Sequence, residues 1–329
     1  MTKYLITGSS GFVGKKFLEY LNESTVNTSV LGIDIAEPAF SQELYGNIKI
    51  KFVKTDLRER EKVSKLIYDF QPKYVLHLAS YSSVAGSWRN PNNCFQNNVN
   101  IFLNLLEDIR MTCIDCRILS VGSSDVYGIV KFSDLPIREE QGVNPMSPFG
   151  IARYSQELLS QLYSDIYGMD IVITRSFNHI GPGQSENFTI SSFAKQITET
   201  RKNNSNEFIV TGDVSVVRDF IDVRDVVRAY HQLFLKGKRG EIYNVCSGCG
   251  ISLHNIIQML CEIMDIRYSI REDKKLRRPA DIPVIVGCNE KIKKQTSWTN
   301  EILLEESLRD LLKYYLYIDD KISKPAYKN

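Results

Sequence analysis

The 329-residue chain lacks the features that mark membrane, secreted and nucleic-acid-binding proteins. None of its apolar runs approaches the about 20 residues that a membrane-spanning helix needs, so we expect no membrane partner. The first residues, MTKYLITG, contain no apolar signal-peptide core, and we expect a cytoplasmic location. A formal net charge of +2 gives no overall basic character, and we expect no nucleic-acid partner.

Cysteine and histidine are too scattered to suggest a metal centre. The chain has seven cysteines and four histidines. Two cysteine pairs, Cys113/Cys116 and Cys246/Cys249, have the C-x-x-C spacing found in zinc sites and redox pairs. Neither pair has histidine ligands nearby, and no ribbon spacing joins the two pairs. We therefore expect unrelated reduced thiols and no metal ion.

What the chain does contain is a regular alternation of short apolar segments with helical patterns in its first half. Strands are predicted at KYLIT, SVLGI, IKFVK, YVLHLA, RILSVG and DIVITRS. Helical patterns lie between them, near residues 12–22, 60–70 and 92–110. The repetition of strand, helix and strand predicts an α/β fold, a doubly wound parallel sheet with helices on both faces.

A glycine motif follows the first predicted strand. The segment LITGSSGFVG places Gly8, Gly11 and Gly14 between a strand and a helix. In that context the three glycines allow a tight turn, a close approach of the backbone to a pyrophosphate, and close packing of the helix on the sheet. The amides at the start of the helix would face the phosphates. The motif therefore predicts a Rossmann-type sheet that binds an adenine dinucleotide.

Two acidic residues at strand ends bear on the cofactor. Asp34 lies about 20 residues past the glycines, where a carboxylate accepts hydrogen bonds from the adenosine ribose. It would repel a 2′-phosphate, and no arginine or lysine follows closely, so NAD(H) is favoured over NADP(H). Asp56, at the end of the next strand, either meets the adenine or caps the following helix.

The pattern changes after about residue 180, which predicts a second, smaller domain. We predict a dinucleotide-binding domain from residues 1–178 and about 216–238. A discontinuous α/β substrate-binding domain, from about 179–215 and 239–329, would cover the carboxyl ends of its strands, where such sheets bind ligands.

Several segments together resemble a known family. The glycine pattern, HLAS, NNVN, GSSDVYG and SPFGIAR resemble, in order and spacing, the extended short-chain dehydrogenases/reductases. Further segments narrow the resemblance to their nucleotide-sugar branch: RSFNHIGPGQ, SFAKQI, VRDFIDVRDVVRAY, YNVCSG and RRPADIP. Within that branch the chain is similar to GDP-4-keto-6-deoxy-D-mannose reductases and GDP-mannose 4,6-dehydratases.

The resemblance implies roles for residues around the sugar. Ser123, at the end of a predicted strand, matches the residue that hydrogen-bonds the sugar C4 oxygen. Asp125 matches an acidic position that is a base in the dehydratases. Ser83 and Ser124 would contact the substrate.

The resemblance also implies contacts with the two ligands' phosphates and nucleosides. Asn178 would hold the substrate diphosphate through its amide, and Arg218 and Arg278 would meet phosphate charge through paired donors. Asp281 would accept a hydrogen bond from a nucleoside hydroxyl. Six further residues would line the cofactor: Ser10, Phe12, Val13, Leu57, Leu78 and Ala79.

One departure from the family affects the chemistry. The family has Y-x-x-x-K in a helix where this chain has Phe149 and Arg153, one turn apart and on one face. Ser147 and Pro148 predict the start of that helix. Phenylalanine exchanges no proton, and arginine binds ribose hydroxyls without giving up its own. Loss of a positioned general acid typically costs about 10²–10⁴ in rate.

Three explanations for the departure remain open. The two residues are engineered; or the chain is a natural variant whose proton comes from Ser123, Asp125 or water; or it binds nucleotides without turnover. Tyr154, five positions from Phe149, lies well round the helix and is a poor replacement.

The expected function is NAD(P)H-dependent reduction of a nucleotide-linked 4-keto-6-deoxyhexose, with GDP as the favoured carrier. The alternatives are a nucleotide-sugar 4,6-dehydratase and a catalytically silent binding protein. The family resemblance implies a homodimer through two facing helices, and the wide apolar stripes at 92–110 and 148–166 make these two segments the candidates for it.

Overall fold

The computed structural model describes residues 1–38, 45–203, 208–277 and 280–323. Seven parallel strands form its largest sheet: β1 (Thr2–Thr7), β2 (Thr28–Asp34), β3 (Ile48–Lys54), β4 (Tyr74–His77), β5 (Arg117–Ser123), β6 (Asp170–Ser176) and β10 (Ile242–Val245). The strand order is β10-β6-β5-β4-β1-β2-β3. The chain thus winds outward from β1 in both directions, and the predicted doubly wound parallel sheet is confirmed.

Helices cover both faces of this sheet, as the alternating pattern predicts. They are α1 (Phe12–Ser24) and α8 (Val223–Lys236) on one face, and α2 (Arg60–Phe70), α5 (Ile101–Met111) and α6 (Pro148–Tyr167) on the other. Tyr4 and Ile6 of β1 pack with α1 and α8, whereas Leu5 between them packs with the other three helices. Successive side chains of a strand point to opposite faces, so both faces of a central strand must be apolar.

The predicted helix at 92–110 is three segments. It consists of α4 (Pro91–Phe95), a π-helical turn (Gln96–Asn100) and α5, and a short helix, α3 (Val84–Arg89), precedes it. Asn90 and Pro91 start α4, with the Asn90 side chain accepting from the Asn93 amide.

Most of the elements after β6 build a second body. Its sheets contain β7 (Asn178–Ile180), β8 (Phe208–Thr211), β9 (Val217–Asp222), β11 (Gly250–Ser252), β12 (Ser269–Glu272) and β13 (Val284–Ile285). Its helices are α7 (Thr189–Asn203), α9 (Leu253–Met264) and α11 (Leu304–Ser323). Helix α10 (Glu290–Thr296) packs instead against α8 and β10 of the large sheet. β7, β11 and β13 all pair with β9, and β8 pairs with β12. Helices α7, α9 and α11 share a separate apolar core.

The predicted domain boundaries stay a prediction, with two details added by the topology. β10 follows residue 239 and joins the large sheet, whereas β9 falls within 216–238 and joins the smaller one. All seven cysteines are free thiols. Within the described ranges, no helix has the length and apolar character to cross a membrane, and no cluster of three or more metal-ligating side chains occurs.

Candidate functional site

The glycine loop between β1 and α1 is packed too tightly for side chains. Gly8 has a φ of +71°, and a Cβ there would lie 2.7 Å from the Ala79 amide nitrogen and 2.9 Å from the Leu78 carbonyl carbon. A Cβ at Gly14 would lie 2.5 Å from the Gly8 oxygen. Gly11 is the N-cap of α1 and contributes no side-chain cap, so the first amides of the helix are left for an anion. The loop therefore fits a dinucleotide pyrophosphate.

Asp34, at the end of β2, is held against this loop. Its Oδ2 accepts from the Ser10 amide at 2.9 Å and its Oδ1 accepts from the Ala36 amide at 3.0 Å. The Ser10 hydroxyl donates to the Ala36 carbonyl. A carboxylate accepts about four hydrogen bonds, so both oxygens keep lone pairs for ribose hydroxyls.

An open cavity of about 420 Å³ lies beside Asp34. Ile35, Lys54, Thr55, Asp56 and Glu59 line it. Its position, at the ends of β2 and β3, suits the adenosine end of a dinucleotide.

Asp56 belongs to this cavity and also to the turn before α2. Its carboxylate pairs with Arg58 at 2.6 Å, and the hydrogen bond from Arg58 lowers its pKa below the ordinary value. Its amide donates to Glu59, one residue before α2 begins. Lys54 lies opposite Asp34 in the β2–β3 register. A cation beside Asp34 was not predicted from the sequence.

The apolar cofactor residues are placed around the loop. Leu57 is buried in the core beneath the sheet edge, and Leu78 and Ala79 directly follow β4. Val13 packs inward from α1. Phe12 points the other way, and its ring stacks on His179 at a centroid distance of 6.3 Å. The glycine loop is thereby in contact with the segment that carries Asn178.

Ser123 is the last residue of β5, at the centre of the carboxyl edge of the sheet. Its hydroxyl accepts from the Asp125 amide at 3.2 Å, which starts a 3₁₀ turn over Ser124–Val126. Ser124 is buried and Asp125 is half-buried. Ser83 caps α3 by accepting from the Gly86 amide at 2.9 Å. The contacts of these residues with substrate stay a prediction.

Phe149 lies at the start of α6, where Ser147 caps the helix through the Gly150 amide and Pro148 occupies the first turn. The Phe149 amide donates to the Ser87 hydroxyl at 3.2 Å. Its ring is 6% exposed. It packs in an apolar cluster with Tyr81, Val84, Cys94, Val99 and Ala152. We call these six residues the Phe149 cluster.

Arg153 shares the face of Phe149, as the spacing predicts, with its guanidinium carbon 5.3 Å from the ring centroid. It is 7% exposed, and its Nη1 donates to the Val121 carbonyl and to Gln156 Oε1. Its Nε has no hydrogen-bond partner in the described part of the chain. Burial lowers the pKa of Arg153 to about 10, so it stays charged at neutral pH.

Arg153 is therefore a buried cation. Within the described ranges, no carboxylate forms an ion pair with it. Behind it lies His77, also buried, whose Nδ1 is 2.9 Å from the Thr7 hydroxyl. Burial, and secondarily Arg153, lower the pKa of His77 to about 3. Burying a cation without an anion costs free energy of desolvation. We therefore expect Arg153 to donate hydrogen bonds to oxygens of a bound ligand.

On the substrate side, the structure brings Arg218 and Asp281 together. Nη2 of Arg218 lies 2.7 Å from Asp281 Oδ1, although the sequence assigned the two residues to different parts of the ligand. Asn178 opens β7 on the neighbouring strand and is exposed. Arg278 lies outside the described residues.

Asp219 is a structural residue of this region that the sequence did not single out. It is fully buried, and burial raises its pKa. It accepts hydrogen bonds from the amides of Ser247, Gly248 and Gly287 and from the Ser247 hydroxyl. Asp219 thus ties the loops after β10 and β13 to the strand that carries Arg218. Its only sequence signal was its place beside Arg218 in VRDF.

Comparison with known proteins agrees with this arrangement. The family model described as GDP-mannose 4,6-dehydratase matches residues 5–311. GDP-6-deoxy-D-mannose reductase of Pseudomonas aeruginosa is 32% identical over 317 residues, 95% of this chain and 97% of that protein.

Two solved structures have the same fold. The structure of RMD from Pseudomonas aeruginosa complexed with NADPH superposes with a TM-score of 0.84 at 31% identity, covering 97% of this chain and 100% of that one. The second is a tyrosine-to-phenylalanine mutant of UDP-glucuronic acid 4-epimerase from Bacillus cereus, in complex with UDP-4-deoxy-4-fluoro-glucuronic acid and NAD. It superposes with a TM-score of 0.86 at 25% identity, covering 96% of this chain and 100% of that one. The chain belongs to the GDP-mannose 4,6-dehydratase family, in the nucleotide-sugar branch of the short-chain dehydrogenases/reductases.

Proposed function

We propose that this chain reduces a nucleotide-linked 4-keto-6-deoxyhexose with a reduced nicotinamide dinucleotide, and that GDP is the favoured carrier. The observation that carries the proposal is the 32% identity to a GDP-6-deoxy-D-mannose reductase along 95% of the chain. The tight glycine loop, the Asp34 carboxylate and the buried Arg153 fit the cofactor. When bound, the cofactor supplies the hydride.

The chain's own residues would bind and orient the reacting groups. The Ser123 hydroxyl, at the end of β5, would donate to the sugar C4 oxygen and stabilise the negative charge that develops there. The Arg153 guanidinium would donate to the hydroxyls of the nicotinamide ribose. Arg218, Arg278 and Asn178 would bind the diphosphate, and Asp281 would accept a hydrogen bond from a nucleoside hydroxyl.

NADH is the proposed cofactor, since the charge of Asp34 would oppose a 2′-phosphate. Lys54, opposite Asp34, could attract that phosphate, but it is 3.8 Å from Glu37 and shares its charge with it. The related structures hold NADPH in one case and NAD in the other. Separate NADH and NADPH titrations decide the preference.

The homodimer is proposed from the outer face of α6. Ile151, Leu158, Leu162 and Ile166 recur along one side of the helix and are 45–69% exposed. Exposed apolar stripes of this kind mark protein–protein contacts. We propose that a second copy of the chain covers this stripe, and that the enzyme acts in the cytoplasm.

A dehydratase is the second candidate, supported by the family description and by Asp125 at the acidic position. A silent binding protein, natural or engineered, is the third, supported by Phe149 and Arg153. The test is incubation with NADH and GDP-4-keto-6-deoxy-D-mannose. Reduction consumes one NADH per product. A 4-keto product formed from GDP-mannose at constant NADH absorbance would identify a dehydratase, and tight binding without any product would identify a silent protein.

A further inference from the structure

Tyr81 lies where the Phe149 cluster meets the cofactor side of the site. It follows β4 by four residues, just past Leu78 and Ala79, which touch Gly8 of the glycine loop. Its half-buried side chain packs in the Phe149 cluster. One phenol therefore contacts the group of side chains in which the family tyrosine is replaced by phenylalanine.

The backbone of Tyr81 is held in place from both sides. Its amide donates to Asn98 Oδ1 at 3.1 Å, and its carbonyl accepts from Asn98 Nδ2 at 3.1 Å. Asn98 is fully buried in the π-helical turn between α4 and α5. This pair of hydrogen bonds fixes the segment, so the phenol is carried on a rigid support.

The hydroxyl of Tyr81 occupies space that Gly86 leaves open. A Cβ at position 86 would lie within 3.0 Å of both the Tyr81 hydroxyl oxygen and Ser83 Oγ. The phenol thus lies beside Ser83, which the family resemblance assigns to the substrate. In the described part of the chain the hydroxyl has no hydrogen-bond partner. It is therefore available to a ligand.

Other phenols near the site are already engaged. The Tyr127 hydroxyl donates to Asn244 at 2.7 Å, and the Tyr230 hydroxyl is 2.8 Å from Ser176. Both side chains are fully buried. Tyr154 packs in a different cluster, against the neighbours of Tyr127.

Two buried groups close to Arg153, the Cys94 thiol and the His77 imidazole, are also unsuitable. Burial raises the pKa of the Cys94 thiol, and that thiol accepts a hydrogen bond from Asn98. His77 is neutral at pH 7 because burial lowers its pKa, and it has no exposure to a ligand.

We propose that Tyr81 is a catalytic residue that supplies the proton which Phe149 cannot. This inference rests on the proposed reduction. As sugar C4 gains a hydride, the electron pair of the C=O π bond moves onto the oxygen. Tyr81 donates its phenol proton to that oxygen, forming the C4 hydroxyl, and the resulting phenolate takes a proton from water. Atoms and charge balance with the reduced dinucleotide as the sole reductant.

The experiment compares kcat, KM and the NADH dissociation constant in four chains: the wild type, Y81F, F149Y/Y81F and Y68F. Y81F should lower kcat about 10²–10⁴-fold with NADH affinity unchanged, because only the proton donor is lost. F149Y/Y81F should recover most of the loss, because the family's donor returns. Tyr68 is 61% exposed on α2 and provides the matched control, with wild-type kinetics expected.

The outcomes separate this proposal from the function beneath it. A wild type that turns over and a Y81F that matches it within threefold would overturn the role of Tyr81 alone. A wild type that binds NADH and substrate without turnover overturns both proposals. If Y81F does not fold, fluorotyrosine placed at position 81 preserves its shape. It should move the alkaline limb of the kcat profile to lower pH, and an unmoved limb would overturn the proposal.

Discussion

The guanidinium of Arg153 lies over the ring of Phe149, 5.3 Å from its centroid, at the two positions where the family resemblance implies a lysine and a tyrosine. The ring face contributes about 0.5–2 kcal/mol of cation–π attraction. That is less than the several kcal/mol that an unpaired buried charge costs. The pair therefore keeps positive charge in the site at the expense of stability.

Replacing Arg153 with methionine should separate stability from ligand binding. Removal of the buried charge should raise the free energy of unfolding by about 1–4 kcal/mol, while NADH binding weakens about tenfold or more. Chemical denaturation and NADH titration measure the two effects. R239M, which removes an exposed guanidinium, is the control for net charge. A destabilised R153M would mean that its bonds to Val121 and Gln156 outweigh the desolvation of the charge.

Neutralising Asp34 should relax the choice of cofactor. In D34N the ratio of NADPH to NADH dissociation constants should fall about tenfold or more, because the negative charge that opposes a 2′-phosphate is lost. Fluorescence titrations with both cofactors give the ratio. D69N, an exposed change on α2, should leave it unaltered. An unchanged ratio in D34N would shift attention to Lys54.

Alanine at Gly8 should abolish most cofactor binding. The added Cβ meets backbone atoms of Leu78 and Ala79 in a residue at φ +71°, so the loop itself has to move. G168A is a close match, with φ +68° and open space around the new Cβ. It should cost about 1 kcal/mol of stability and leave NADH affinity intact. Equal NADH affinities for the two variants would refute the tight-loop explanation.

Acid should destabilise the fold through His77. Its pKa falls from 6.5 to about 3 on folding, since burial opposes the charged form. Above pH 6.5 its contribution to stability is fully present. As the pH falls from 6.5 toward 3, the unfolded chain binds a proton that the folded chain does not, and about 1.4 kcal/mol is lost per pH unit. Denaturant titrations between pH 7 and 5 give the free energy of unfolding at each pH. This free energy should fall less steeply with decreasing pH in H77Q than in the control H254Q.

Charges on the outer face of α6 should separate the proposed dimer. L158R/L162R should sediment as a monomer at concentrations where the wild type is a dimer, because two cations would face their copies across the interface. L303R, at another exposed leucine, should stay dimeric. A monomeric wild type, or a dimeric double variant, would remove this stripe as the contact.

Much of the architecture was accessible from the sequence because its signals are local. Apolar periodicity predicted six of the seven strands of the large sheet, all except β10, and the glycine spacing predicted the turn between β1 and α1. The position of Asp34 was likewise fixed by its distance from the glycines. These features depend on neighbours within about 30 residues.

The rest depended on residues that are distant in sequence. Lys54 reaches Asp34 through strand register, and Arg218 meets Asp281 across 63 positions. Tyr81 reaches Phe149 because α3 and α4 fold back on α6. Spacing along the sequence does not predict contacts between distant residues. The partners of a charged or phenolic side chain can therefore be identified only in the folded structure.

The ion pair between Arg218 and Asp281 has a further effect on ligand choice. The Arg218 guanidinium already binds the Asp281 carboxylate at 2.7 Å. A free anion such as inorganic phosphate therefore has to compete with a carboxylate of the same chain. A ligand that offers a diphosphate to the arginine and a hydroxyl to the freed aspartate satisfies both partners at once. If these two residues bind the substrate as proposed, their ion pair would favour an intact nucleotide sugar over inorganic phosphate alone.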